Sequence, residues 1–127
     1  MKLLKYKLCN STLDLLIYVF IISISGISCI QTKTYVIKPT ELKCEYAENP
    51  LGIENPSPEL SWMLQSETRN QKQTGYRILV SGNEQNLQKN IGDLWDSHKV
   101  LSDESVHVRY EGKKLSSRSI SWWKVCV

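Results

Sequence analysis

From residue 41 onward, apolar and polar positions alternate with a period of two. "ELSWML", 59–64, sets Leu60, Trp62 and Leu64 on one face, and "GYRILVSG", 75–82, does the same with Tyr76, Ile78 and Val80. "SVHVRYEG", 105–112, aligns Val106, Val108 and Tyr110 against His107 and Arg109, and "SWWKVCV", 121–127, aligns Trp123, Val125 and Val127. Successive strand side chains point to opposite faces, so this period predicts half-buried strands. The runs are rich in Val, Ile, Tyr and Trp, which suit a pleated surface.

Turn-formers separate the runs. "ENPLGIENPSPELSW", 48–62, carries Pro50, Gly52, Pro56 and Pro58, and excludes a helix. "QSETRNQKQTG", 65–75, reads as a polar loop or strand extension. In "SGNEQNLQKNIGDLW", 81–95, Leu87 and Ile91 lie four apart, which predicts one or two helical turns between strands. "YEGKKLSSRS", 110–119, turns at Gly112. Strands are therefore expected at 41–47, 59–65, 74–81, around 93–99, 105–110 and 120–127. Regular spacing of short strands predicts an all-β antiparallel sandwich.

The inward Trp62 and the Trp123-x-Val125-x-Val127 face resemble those of a fibronectin type III or immunoglobulin-like β-sandwich. In strand nomenclature the six runs are A, B, C, C′, E and F. A final strand G is expected to be lacking, which leaves strand F with an open edge beside Trp122 and Trp123. Such an edge invites aggregation, so the 127-residue chain by itself is expected to be marginal or insoluble.

Residues 1–28 read as a signal peptide: Lys2, Lys5 and Lys7 precede the apolar "LLIYVFIISIS", and small Gly26 and Ser28 stand at −3 and −1 before Cys29. The apolar run is short of the roughly 20 residues that a bilayer requires. "SGISC" resembles a bacterial lipobox, with Gly26 where Leu is usual. Cys29 is therefore the candidate lipidation site, and residues 29–40 are a tether. An anchored, exported product at the periplasm, outer membrane or cell surface is expected; simple secretion and an uncleaved N-terminal anchor are the alternatives.

Removing that segment changes the charge picture. Three of the 16 basic and one of the 13 acidic residues leave with it, so +3 falls to +1. No basic stripe remains for a phosphate backbone, and nucleic acid is excluded as a partner. Of four cysteines, Cys9 leaves with the signal and Cys29 carries the lipid. Cys44 shares a face with Leu42 and Tyr46, whereas Cys126 lies opposite Val125. The two are not expected to bond, and two free thiols are expected.

Three stretches, "LKCEYAENPLGIENPSPELSWML", "QTGYRILVSGNEQNL" and "GDLWDSHKVLSDESVHVRYEGKKLSSRSISWWKVCV", together resemble the N-terminal module of bacterial α-L-rhamnosidases of glycoside hydrolase family 78. The resemblance covers 41–127. It implies a fibronectin-like sandwich ahead of further β-domains and an (α/α)6 barrel. In that family the barrel carboxylates hydrolyse terminal α-L-rhamnosides with inversion. None of those carboxylates falls within this chain, so no catalytic, cofactor or metal residue is carried over. The resemblance implies a non-catalytic module truncated before its catalytic domain. Its expected partners are the downstream domains, a rhamnosylated glycan and the membrane. A stand-alone carbohydrate- or protein-binding surface lipoprotein is the alternative.

Three local features bear on chemistry. Asp93 and Asp96 flank Trp95 and invite a sugar-gripping or acid–base role, but Asp caps turns more often. His98 and His107 lack metal-ligand spacing. Trp122 lies opposite Trp123, on the outer face, and is the candidate contact for a neighbouring domain or a glycan.

Overall fold

The computed structural model describes residues 2–5 and 37–127. Its strands are β1 (Lys2–Lys5), β2 (Lys38–Cys44), β3 (Glu59–Gln65), β4 (Arg77–Ser81), β5 (Trp95–Asp96), β6 (Val108–Arg109) and β7 (Ile120–Cys126). One short helix, α1 (Glu84–Gln88), lies between β4 and β5. Two sheets result, ordered β1-β7-β4-β5 and β2-β3-β6. All pairings are antiparallel except that of β1 with β7.

The period-two reading places the layers correctly. Ile78 faces Val125, and Val80 faces Trp123, in the β4–β7 register. These four pack with Leu42, Cys44, Leu60, Trp62, Tyr76, Val108 and Tyr110 in one core between the sheets. Leu64, Val106 and Val127, expected on the same faces, are exposed at the strand ends. His107 adopts φ 57°, a left-handed turn that confines β6 to two residues where six were expected. In β2 the register slips between Thr40 and Lys43, with Glu41 at φ 45°, the sign of a β-bulge.

In the uncleaved chain the expected open edge of strand F is filled. Lys2–Lys5 runs parallel to β7, pairing Lys2 with Ile120 and Lys5 with Trp123. Backbone groups that would otherwise template another chain are thereby paired. The edge of this sheet is thus β1, not β7. The expected signal helix lies outside the described residues, apart from these four, which form a strand.

The outer face of the first sheet is not solvated as alternation suggested. α1 lies across it, so Leu79 and Lys124, paired in register on that face, are both about 1% exposed. The helix is short but capped at both ends. Asn83 Oδ1 accepts from Gln85 N at 2.8 Å. At the other end Ile91 N bonds Asn86 O and Asn90 N bonds Leu87 O, with Asn90 at φ 59°, a Schellman closure. Leu87 is fully buried, and Ile91 is half exposed.

The cysteines divide by face. Cys44 is a free, buried thiol, pushed up to about 12 by burial and then by the nearby Glu45 charge. Cys126 lies on the other face and is disulfide-bonded, which corrects the expectation of a second free thiol. Because Cys44 is free, the partner is not among the described residues.

Candidate functional site

Strands β5 and β6 are edge strands of the two sheets. The chain between them, 97–107, crosses from one sheet to the other. It is tied down where Tyr76 and Val100 exchange backbone hydrogen bonds of 2.9 and 2.8 Å. Between these edges lies a cleft of about 370 Å³, lined by Tyr76, Trp95, Asp96, Glu104, His107, Arg109 and Glu111 among others.

Each wall is fixed by specific packing. Trp95 is partly exposed, and its ring meets Tyr110 edge-on with centroids 5.3 Å apart. Tyr110 in turn donates to Lys113 O at 2.7 Å. Gly112 allows that approach, since a Cβ there would stand 2.5 Å from both Trp95 Cβ and the Tyr110 hydroxyl. Tyr76 packs its ring edge-on against Trp62, 5.2 Å between centroids. His107 Nδ1 donates to Glu59 Oε2 at 2.7 Å, with the Tyr46 hydroxyl 3.3 Å away. Beneath the 97–107 crossing, buried Gln73 accepts from Trp62 Nε1 and donates to Ser102 O and Glu104 O.

Asp96 is already engaged. Arg77 grips it with Nε and Nη2 at 2.9 and 2.6 Å, and His98 N donates at 2.9 Å. The Arg77 hydrogen bonds hold its carboxyl at about 2, although partial burial opposes them. A carboxylate so held is ionised at neutral pH and cannot act as a proton donor. Asp93 accepts from Ser81 Oγ. Desolvation would raise its pKa, but the hydrogen bonds from Ser81, Asn86 and the local backbone outweigh it and lower it. The two aspartates thus brace the turns around Trp95 and do not converge on a reacting atom.

The Arg77–Asp96 pair gives a pH prediction. Asp96 has its folded pKa depressed, so its contribution is full above the ordinary 3.8 and is lost as pH falls through about 2. Asp96→Asn is expected to flatten part of the acid-unfolding profile in that window, followed by circular dichroism. The pair is partly exposed, so its loss at neutral pH costs about 1 kcal/mol. An unchanged acid slope in the variant would refute it.

The other sequence candidates fall elsewhere. Trp122 lies on the outer face with Ser81 and Lys124, partly buried, its backbone paired between Ser81 and Leu4. Cys29 lies outside the described residues. His98 and His107 stand on different segments, and no group of three metal-ligating side chains forms among the described residues. Sequence reasoning missed the cleft because its lining, Tyr76 with scattered positions of the 95–111 stretch, carries no motif.

Comparison with known proteins matches residues 39–127 to the family described as "Rha78A-like, N-terminal immunoglobulin domain". The chain belongs to that family. This immunoglobulin domain is 40% identical over 79 residues to an α-L-rhamnosidase of Formosa agariphila, covering 62% of this chain and 8% of that protein. It is 38% identical over 109 residues to one of an Alteromonas species, covering 84% and 11%. Among solved structures it resembles an α-L-rhamnosidase from Dictyoglumus thermophilum at 46% identity and TM-score 0.66, over 68% of this chain and 10% of that one. It also resembles the Streptomyces avermitilis enzyme complexed with L-rhamnose at 36% identity and TM-score 0.67, over 71% and 9%. This immunoglobulin domain therefore spans about a tenth of the length of the relatives it matches.

Proposed function

We propose that the chain is the non-catalytic N-terminal β-sandwich module of an exported α-L-rhamnosidase-like glycoside hydrolase. The observation that carries this reading is the match of 39–127 to the N-terminal domain of enzymes about ten times its size. The module packs against and spaces the domains that do the chemistry, and Trp122 on the outer sheet face is its contact to them. Inverting hydrolysis needs an acid and a base across a water-sized gap. Of the carboxylates that line the cleft, Asp96 is committed to Arg77. Export rests on the charged, apolar and small-residue order of 1–28, and anchoring rests on lipid at Cys29.

Two assays test the reading. The purified 127-residue chain is expected to release no chromophore from an aryl α-L-rhamnoside above the buffer rate. Turnover that disappears on mutation of a cleft carboxylate would overturn the non-catalytic assignment. In a bacterial host, a radiolabelled fatty acid is expected on the wild-type chain and absent from Cys29→Ser; equal labelling of both would remove the anchor.

A further inference from the structure

The role of spacer leaves one feature unexplained. Tyr76 is only 8% exposed, yet its hydroxyl makes no hydrogen bond within the described residues. No buried polar side-chain atom lacks a partner among those residues, so the Tyr76 oxygen is open to the cleft that it lines. A phenol so placed takes its hydrogen-bond partner from whatever occupies the cleft. Here Tyr76 lines a cavity with access to solvent. Burial raises its pKa first, and the charges of Glu104 and Glu111, which line the same cleft, raise it further.

We propose that this cleft binds one neutral pyranose ring, with the Tyr76 hydroxyl, the Trp95 ring and the carboxylates of Glu104 and Glu111 as its contacts. The volume, about 370 Å³, lies at the small end of the range for ligand sites and accommodates a single sugar with its chain leading outward. Carboxylates accept the hydroxyl donors of a polyol, the phenol both donates and accepts, and Trp95 covers the apolar C–H face. Charge argues against an ion. Asp96 is neutralised by Arg77, and Arg109 lines the same cleft, which disfavours a cation, while Glu104 and Glu111 disfavour an anion. This site is separate from Trp122 and goes beyond the packing role proposed above.

The test titrates the full chain with L-rhamnose, D-galactose and D-glucose, followed by amide chemical shifts and tryptophan fluorescence. Saturable binding in the millimolar range of at least one sugar is expected, with the shifts centred on Tyr76, Trp95 and Glu104. Tyr76→Phe keeps the ring against Trp62, so the fold is retained, and near-ultraviolet circular dichroism verifies it. Affinity is expected to fall about tenfold in Tyr76→Phe and in exposed Glu104→Gln, through loss of one hydrogen bond each. It should be unchanged in Trp122→Phe. The proposal is overturned if no sugar saturates the chain at tens of millimolar, if folded Tyr76→Phe binds as tightly as wild type, or if the shifts centre on Trp122. A sugar that binds here without any rhamnoside turnover leaves the non-catalytic reading intact.

Discussion

Trp62→Ala is expected to remove most of the stability of the domain. Trp62 is 2% exposed and central to the second sheet. Its ring supports Tyr76, and its Nε1 donates to Gln73 at 3.0 Å. Gln73 in turn holds Ser102 O and Glu104 O, so one side chain fixes the core and the crossing segment over the cleft. Truncating a buried Trp to Ala costs about 3–5 kcal/mol, because the transfer energy is lost and a cavity remains. Small domains have about 5–15 kcal/mol in total, so the variant should unfold at far lower urea concentration or fail to fold at all. Trp62→Phe keeps the ring contact but leaves Gln73 Oε1 buried without its donor, at a cost of about 1–3 kcal/mol. A urea midpoint for Trp62→Ala equal to that of Trp62→Phe would show that the indole does not organise this core.

Much of the architecture was legible because alternation is a geometric consequence of strand backbone. Leu60, Trp62, Ile78, Val80, Trp123 and Val125 were assigned to the core on that basis, and all are buried. The rule fails where both faces of a strand are covered. Leu79 and Lys124 occupy positions that alternation gives to solvent, but α1 closes over them. The same limit applies to polar loops. Gln73 sits in a run with no apolar signal, yet it is 3% exposed, because three backbone and side-chain partners converge on its amide. Edge pairing was illegible for a different reason. Lys2–Lys5 and Ile120–Trp123 are more than a hundred residues apart, and backbone pairing carries no sequence pattern of its own. The cleft is harder still, since Tyr76 read simply as one more inward aromatic. Its open hydroxyl depends on where the strand edges β5 and β6 stop.

Lys124 is the second position where a large effect is expected. A lysine about 1% exposed is rarely tolerated unless its ammonium is fully bonded. Here Nζ donates to Leu87 O at the end of α1 and to Asn90 Oδ1 at 2.6 Å. A cation there also suits the negative end of the helix. Burial lowers its pKa, and the Arg77 charge lowers it further, so keeping the charge is a cost that the two acceptors offset. Lys124→Glu would set a carboxylate against those same acceptor oxygens in a dry site. Its loss is expected to reach about 3–5 kcal/mol at neutral pH, as for an uncompensated buried charge. Lys124→Met fills similar space without the charge. Leu87 O keeps its bond from Asn90 N, so this variant should lose only about 1–2 kcal/mol. Urea midpoints measure both, and amide hydrogen exchange separates the mechanisms. In Lys124→Met, protection of Asn90 and Ile91 should fall while that of the β4–β7 pairs persists, because α1 loosens before the sheet does. Equal stability of Lys124→Glu and wild type would mean that the ammonium reaches water, and that α1 is held to the sheet by Leu87 alone.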